Sequence, residues 1–297
     1  MGRRAKPPTS FERPGRKNLF LFTRDRRQVS ELSRAREAAQ NSETPAAMAV
    51  SAAQVQAVLD MSNLTAFEQL LGGLTSVDNS ARTQYEALFN ECKKQGDVLC
   101  LQLVKALRTS AQVETREMAA ILLRRVLTKD EVSLWANLQA QTQAGIKSEL
   151  LKSLHEEQNK RIAGKFGDTV SELAAGVYEE GWPELLPFLF QCVTTGSDAL
   201  KVTALNVFGE LAAYIGDSLV PHLATLHGIL AQCLQAADME VKLASLRACC
   251  AFVDSLENQH DRAKFQDLLP AMLQTLGGAL QGGDEASAQD ALSMFVE

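Results

Sequence analysis

The sequence predicts an all-α protein, an array of antiparallel helix pairs stacked side by side. Three observations carry this. Leu and Ala dominate the apolar segments and aromatics make up only 6% of 297 residues, which suits helices that approach one another closely. Apolar residues recur at the helical period over faces too wide for a single partner. One opening pattern also returns at intervals near forty residues.

The widest face lies in Arg116–Leu127, REMAAILLRRVL. At about 100° per residue, Met118, Ala119, Leu122, Leu123, Val126 and Leu127 fall on one broad arc, with Glu117, Arg124, Arg125 and Thr128 opposite. Such a helix needs neighbours on both flanks, as the inner helix of a stacked array has.

Taken in order, the chain begins with 47 residues unlike the rest. Pro7-Pro8, Pro14-Gly15 and Pro45 punctuate an Arg-rich run whose only apolar stretch is Leu19–Phe22, the composition of a disordered basic extension. A targeting peptide should be poor in acids, and Glu12, Asp25, Glu31, Glu37 and Glu43 count against one. A basic arm or nuclear signal could rest on Arg24–Arg27. The favoured reading is that the fold starts near Met48 and the upstream part is an extension outside it or an artefact of gene prediction.

From Ser62 onward helices come in pairs. The second members share an opening, a loop acid or amide, then a basic residue, then apolar positions three, seven and ten further on: VDNSARTQYEALFNEC, QVETREMAAILLRRV, SDALKVTALNVFGELA and DMEVKLASLRACCAFV. Their basic residues are Arg82, Arg116, Lys201 and Lys242. NKRIAGKFGDTVSELAAG keeps the apolar phase only with Ala163 in the basic position and Arg161 and Lys165 beside it. Intervals of 34, 47, 38 and 41 residues separate these markers, close to the period of HEAT-type helix pairs.

The first members are Leu64–Thr75, Asp97–Thr109, Trp135–Glu156, Trp182–Thr194, Ser218–Gln235 and Lys264–Gln281. Pro183, Pro187, Pro221 and Pro270 lie near three of their starts, where proline is tolerated or bends the helix. Stops are marked by Gly72-Gly73, Gly96, Gly181, Gly196, Gly216 and Gly282-Gly283, while Gly277-Gly278 falls inside a helical pattern. The segment Asp284–Glu297 opens like another second member, with Ala288 at the basic position, and has no polar capping repeat. Residues 48–297 are therefore expected to be the N-terminal part of a longer array, truncated at the C-terminus.

Catalytic chemistry is not legible. His155, His222, His227 and His260 lack partners at metal-ligand spacing, and no GxSxG, GxGxxG or GxxxxGK occurs. Acidic pairs such as Glu156-Glu157 and Glu179-Glu180 fall at helix ends and loops, without the enclosure that acid catalysis needs. Cys92, Cys100, Cys192, Cys233, Cys249 and Cys250 form no CxxC pair and read as reduced core thiols of a cytosolic or nuclear protein. No enzyme, metal or cofactor is expected. Every apolar run is broken by polar residues before it could cross a bilayer, so membrane insertion is not expected either. The net charge of −6 conceals a division: residues 1–47 hold eleven Lys and Arg against five Asp and Glu, leaving nineteen against thirty-one in residues 48–297. An acidic body favours basic partners over nucleic acid.

REMAAILLRRVL, with AGIKSELLKSL (Ala144–Leu154), WPELLPFLF (Trp182–Phe190) and KFQDLLPAMLQTL (Lys264–Leu276), resembles the N-terminal region of the importin-β, or karyopherin-β, nuclear transport receptors, and most closely the karyopherin β3 type. The likeness runs from about Leu64 to the C-terminus and leaves residues 1–47 outside. It implies a right-handed α-solenoid of HEAT repeats whose inner helices line a concave surface. It also implies a monomeric import receptor that shuttles between cytoplasm and nucleus. Its N-terminal repeats would bind the GTP form of the GTPase Ran, which releases cargo, here basic protein cargo, and its outer helices would contact phenylalanine-glycine nucleoporins.

By analogy, the solvent strip of the first inner helices supplies the Ran-binding candidates: Thr83, Glu86, Asn90 and Lys94 on one helix, Glu117, Arg124 and Arg125 on the next, and Lys165, Asp168 and Glu172 on the third. Each could equally be part of a solvated face, since few interface residues carry much energy. Arg82, Arg116, Lys201 and Lys242 fall on the buried arc and are read as framework residues that bond loop acids and carbonyls. Two other functions stay open, a static HEAT scaffold that organises an enzyme and an export receptor of the same family.

Overall fold

The computed structural model describes residues 50–129, 133–177 and 181–282, together with Gln289 and Leu292. All lie in the compact unit Val50–Glu297. The N-terminal extension, the Glu179-Glu180 pair and the helix expected in Asp284–Glu297, apart from those two residues, fall outside the described part.

Among the described residues every regular element is a helix. After α1 (Ala52–Val58) come five pairs: α2 (Leu64–Gly73) with α3 (Asn79–Cys92), α4 (Gly96–Thr109) with α5 (Val113–Arg124), α6 (Ala140–Glu156) with α7 (Lys160–Val177), α8 (Leu185–Thr195) with α9 (Asp198–Leu219), and α10 (Leu223–Leu234) with α11 (Met239–Ser255). A short α12 (Gln259–Ala263) precedes α13 (Leu269–Gln281). The second members α5, α7, α9 and α11 pack side by side in one layer, and α2, α4, α6 and α8 stack in the other. This is the expected array of helix pairs.

The repeated acid-or-amide opening has a local cause. The Asp78 side chain accepts from the Ser80 amide at 2.9 Å at the start of α3, and Asp238 accepts from the Val241 amide at 3.0 Å at the start of α11. Asn63 caps α2 in the same way, through the Thr65 amide at 3.0 Å. Each satisfies a helix N–H that has no intrahelical partner.

Several boundaries differ from the sequence expectation. Helix α1 went unpredicted because seven residues show no periodicity, although Ser51 and Gln54 form a reciprocal capping box. Gly216, expected as a stop, lies inside α9, which runs to Leu219. The following helix does not start at Ser218; a 3-10 turn, Val220–His222, with Pro221 in its first turn intervenes before α10. The stretch expected as one helix from Lys264 begins instead with the Gln266–Leu268 turn, and Pro270 opens α13. Gly277 and Gly278 stay within α13, and Gly278 lets the Met239 methyl approach.

Phe67, Phe166, Phe208 and Phe252 are the largest fully buried side chains. Lys147 on α6 lies between the two tryptophans, its Nζ 5.4 Å from the Trp135 ring centre and 5.8 Å from that of Trp182, and donates to the Gly181 carbonyl at 3.1 Å. One cation thus ties the loops before α6 and α8 together. All six cysteines are free. Burial pushes Cys92 up to about 11 and Cys100 up to about 12, so neither forms a thiolate near neutrality.

A glycine pair separates two effects. A methyl group on Gly73 would overlap the Tyr85 ring, whereas one on Gly72 would meet nothing within 4 Å. Gly73→Ala should therefore cost about 1–3 kcal/mol as the ring is displaced. Gly72→Ala should be neutral or stabilising by up to about 1 kcal/mol. Urea denaturation midpoints check both.

Candidate functional site

The second-member layer carries the predicted partner-facing residues. On α3, Thr83, Glu86 and Asn90 are exposed, and Lys94 follows in the Lys93–Gln95 turn. Three of them pair locally: Thr83 Oγ1 donates to the Asn79 carbonyl at 2.8 Å, Glu86 lies 3.7 Å from Arg82, and Lys94 lies 2.7 Å from Glu91. These side chains are held by their own turn and face solvent.

On α5 the picture changes. Glu117 was expected on the solvent strip, and the structure corrects this: the residue is 8% exposed. Arg161, at the start of α7, lies across it and pairs with its carboxylate. A helical wheel assigns a face but cannot include a long side chain reaching in from the next repeat. Arg125 is exposed, while Arg124 is half-buried.

Arg124 belongs to a seam between repeats. Its Nη1 donates to Asp168 Oδ2 at 3.0 Å and lies 3.5 Å from Glu172 Oε1, both on α7. Lys165 sits 3.3 Å from Asp168, and Lys129 3.0 Å from Glu172. The helix widens after Arg124 into a π turn, Arg125–Lys129. That turn brings the Thr128 hydroxyl within 3.1 Å of Glu172. The straight wheel drawn over Arg116–Leu127 could not show this. Glu210 on α9 extends the seam: the residue is exposed, but partial desolvation pushes its carboxyl pKa up, a hydrogen bond to Ser171 opposes this, and Asp168 and Glu172 add to it.

The structure therefore brings Arg124, Lys165, Asp168 and Glu172 together in one network and leaves Thr83, Glu86, Asn90 and Lys94 apart from it. Of the framework residues, Arg116 donates from Nε to the Leu107 carbonyl at 3.0 Å and pairs with Glu157, whose side chain is 5% exposed. Arg82 donates to Asn79 at 2.6 Å and Lys201 pairs with Asp198 at 3.1 Å, each within its own repeat. Sequence reasoning missed Glu157, Arg161 and Glu210. The available signal was the interval: Arg161 follows Glu117 by 44 residues, as Asp168 follows Arg124, and Glu157 follows Arg116 by 41.

The opposite layer presents a groove of 680 Å³ between α6 and α8, lined by Lys147, Leu151, His155, Trp182 and Phe188 among others. His155 meets the Phe188 ring edge-on at 6.4 Å.

Comparison with known proteins gives one consistent answer. A sequence family described as IPO5-like, TPR repeats matches residues 158–297. A probable importin-5 homolog of Dictyostelium discoideum is 25% identical over 239 residues, covering 79% of this chain and 22% of that protein. The crystal structure of Kap121p bound to RanGTP superposes with a TM-score of 0.63 at 24% identity, over 83% of this chain and 22% of that one. Kap121p bound to Nup53p does so with a TM-score of 0.64 at 22% identity, over 78% of this chain and 22% of that one. The chain thus spans about a fifth of the length of these relatives, and its stacked pairs have the HEAT-repeat solenoid fold of Kap121p. Helix pairs of the right period, a sequence relative named for importin-5 and a shared solenoid fold agree: this chain is similar to importin-5-like proteins and has the HEAT-repeat solenoid fold of Kap121p.

Proposed function

We propose that the chain serves a nuclear import receptor and binds the GTP form of Ran through its second-member helices. The observation that carries the reading is the exposed polar strip of Thr83, Glu86, Asn90 and Lys94 on α3 and the turn after it, continued by Arg125 beyond α5. These side chains stand on rigid, packed helices, which lowers the entropy lost on binding. The similar Kap121p has been crystallised with RanGTP, which supports the choice of partner. The seam residues Arg124, Lys165, Asp168 and Glu172 hold the strip's repeats in register, with contact to Ran secondary. Basic cargo suits the acidic body, and the groove between α6 and α8 suits the aromatic side chains of phenylalanine-glycine nucleoporins. Such a receptor shuttles between cytoplasm and nucleus.

Pull-down of the full chain with GTP-loaded and GDP-loaded Ran tests this. Retention of the GTP form alone is expected, and the combined Glu86→Lys and Lys94→Glu exchange should weaken it at least about tenfold, or about 1.4 kcal/mol. Equal binding of both nucleotide forms, or of neither, would overturn the Ran assignment and favour a static scaffold.

A further inference from the structure

The side-chain pairs between repeats described above join residues 41 to 48 apart, so each links a repeat to its neighbour. One pair does not. Lys160, the first residue of α7, places Nζ 2.6 Å from Glu240 Oε2 in the first turn of α11, 80 residues on. Helix α9 packs between these two helices, so the contact skips a repeat. In a stacked array each repeat ordinarily touches only the next.

Distances say what this requires. Neighbouring helix axes lie about 8–10 Å apart, so a flat row would set α7 and α11 about 16–20 Å apart. Extended Lys and Glu side chains reach roughly 6 and 5 Å from Cα, and with the 2.6 Å contact the pair spans roughly 14 Å between Cα atoms, or up to roughly 18 Å between axes once the Cα radius of about 2.3 Å is added at each end. While the pair is intact, the N-terminal ends of α7 and α11 therefore cannot splay much beyond the spacing of a flat row. Small residues keep the helices close. A Cβ on Gly167 would come to 3.4 Å from the Val207 side chain, and one on Gly209 to 3.6 Å from the Ala248 Cα, so the three helices are already at close approach there. Lys160 and Glu240 also rim the cavity of 440 Å³ that these small residues line.

We propose that the Lys160–Glu240 ion pair is a salt-sensitive strap that limits how far the N-terminal ends of α7 and α11 splay across α9, and that its release opens the groove over α9. Both side chains are mostly exposed, 68% for Lys160 and 58% for Glu240. Exposed pairs contribute at most about 1 kcal/mol and are screened by salt, so the strap is weak enough for a partner's charges to displace. Asp238, beside Glu240, also attracts the ammonium, and Glu240 above all keeps Lys160 protonated beyond the usual lysine range. The strap does not depend on which partner the array binds.

Pulsed electron spin resonance on the full chain tests it, with nitroxides on keto side chains introduced at the exposed positions Gln158 and Ala237. At low salt a distribution dominated by the short distance is expected. It should lengthen in ~1 M salt, where the screening length is about 3 Å. Lys160→Glu should give the long distance at every salt concentration, and the charge swap Lys160→Glu with Glu240→Lys should bring the short one back. A distance unmoved by salt and by Lys160→Glu, or a lengthening that the swap leaves in place, would overturn the proposal.

Discussion

Arg116→Met is expected to destabilise the array by about 3 kcal/mol, measured as a lowered urea midpoint. The guanidinium donates to the Leu107 carbonyl at 3.0 Å and pairs with Glu157, whose other carboxylate oxygen accepts from the Asn159 amide at 2.8 Å. Removing the arginine strands a carboxylate whose side chain is 5% exposed, and breaking a buried pair costs about 3–5 kcal/mol. The lower end applies because Arg116 keeps 23% of its side-chain exposure. Most of that loss is the penalty of the orphaned charge, so a second change, Glu157→Gln, should recover part of it. If the double variant is as unstable as the single one, the charge is not what the loss measures. Because repeats couple mainly to their neighbours, amide exchange should speed up most in α5 and at the α6–α7 junction.

Phe208→Ala is expected to have the larger effect, about 3–5 kcal/mol. Phe208 is 1% exposed, with ring centres 5.3 Å from Phe190 on α8 and 6.4 Å from Phe252 on α11. It is the middle ring of a row crossing from one layer to the other. Truncation removes its transfer free energy and leaves a cavity that Gly209 and Ala248, already at close approach, limit from collapsing. Phe208→Leu should cost markedly less, and calorimetric melting of the two variants checks the order. Equal losses would mean that aromatic contact, not filled volume, sets the effect.

The two cases differ in how far the sequence announces them. Phe208 lies in NVFGELA, at an apolar position seven residues beyond Lys201, so its burial follows from helical phase alone. Arg116 was legible as a framework residue because it falls on the apolar arc at a first turn. Its partner Glu157 was not, since it sits 41 residues away in a loop with no phase of its own.

What the sequence determined by itself was the array: helices, their pairing, their period and the capping loops. These follow from interactions within about ten residues, the 3.6-residue period and the Asp and Asn side chains that satisfy helix N-termini. Tertiary structure decided which charges on the inner helices remain available. Glu117 is buried and pairs with Arg161 of the next repeat, Arg124 is engaged because α7 brings Asp168 and Glu172 to it, and Lys160 meets Glu240 across a whole repeat. Long, flexible side chains act across repeat boundaries, at separations where a local pattern carries no information about distance. The packed layers set those distances, and with them the difference between a strip open to a partner and a seam that holds the solenoid together.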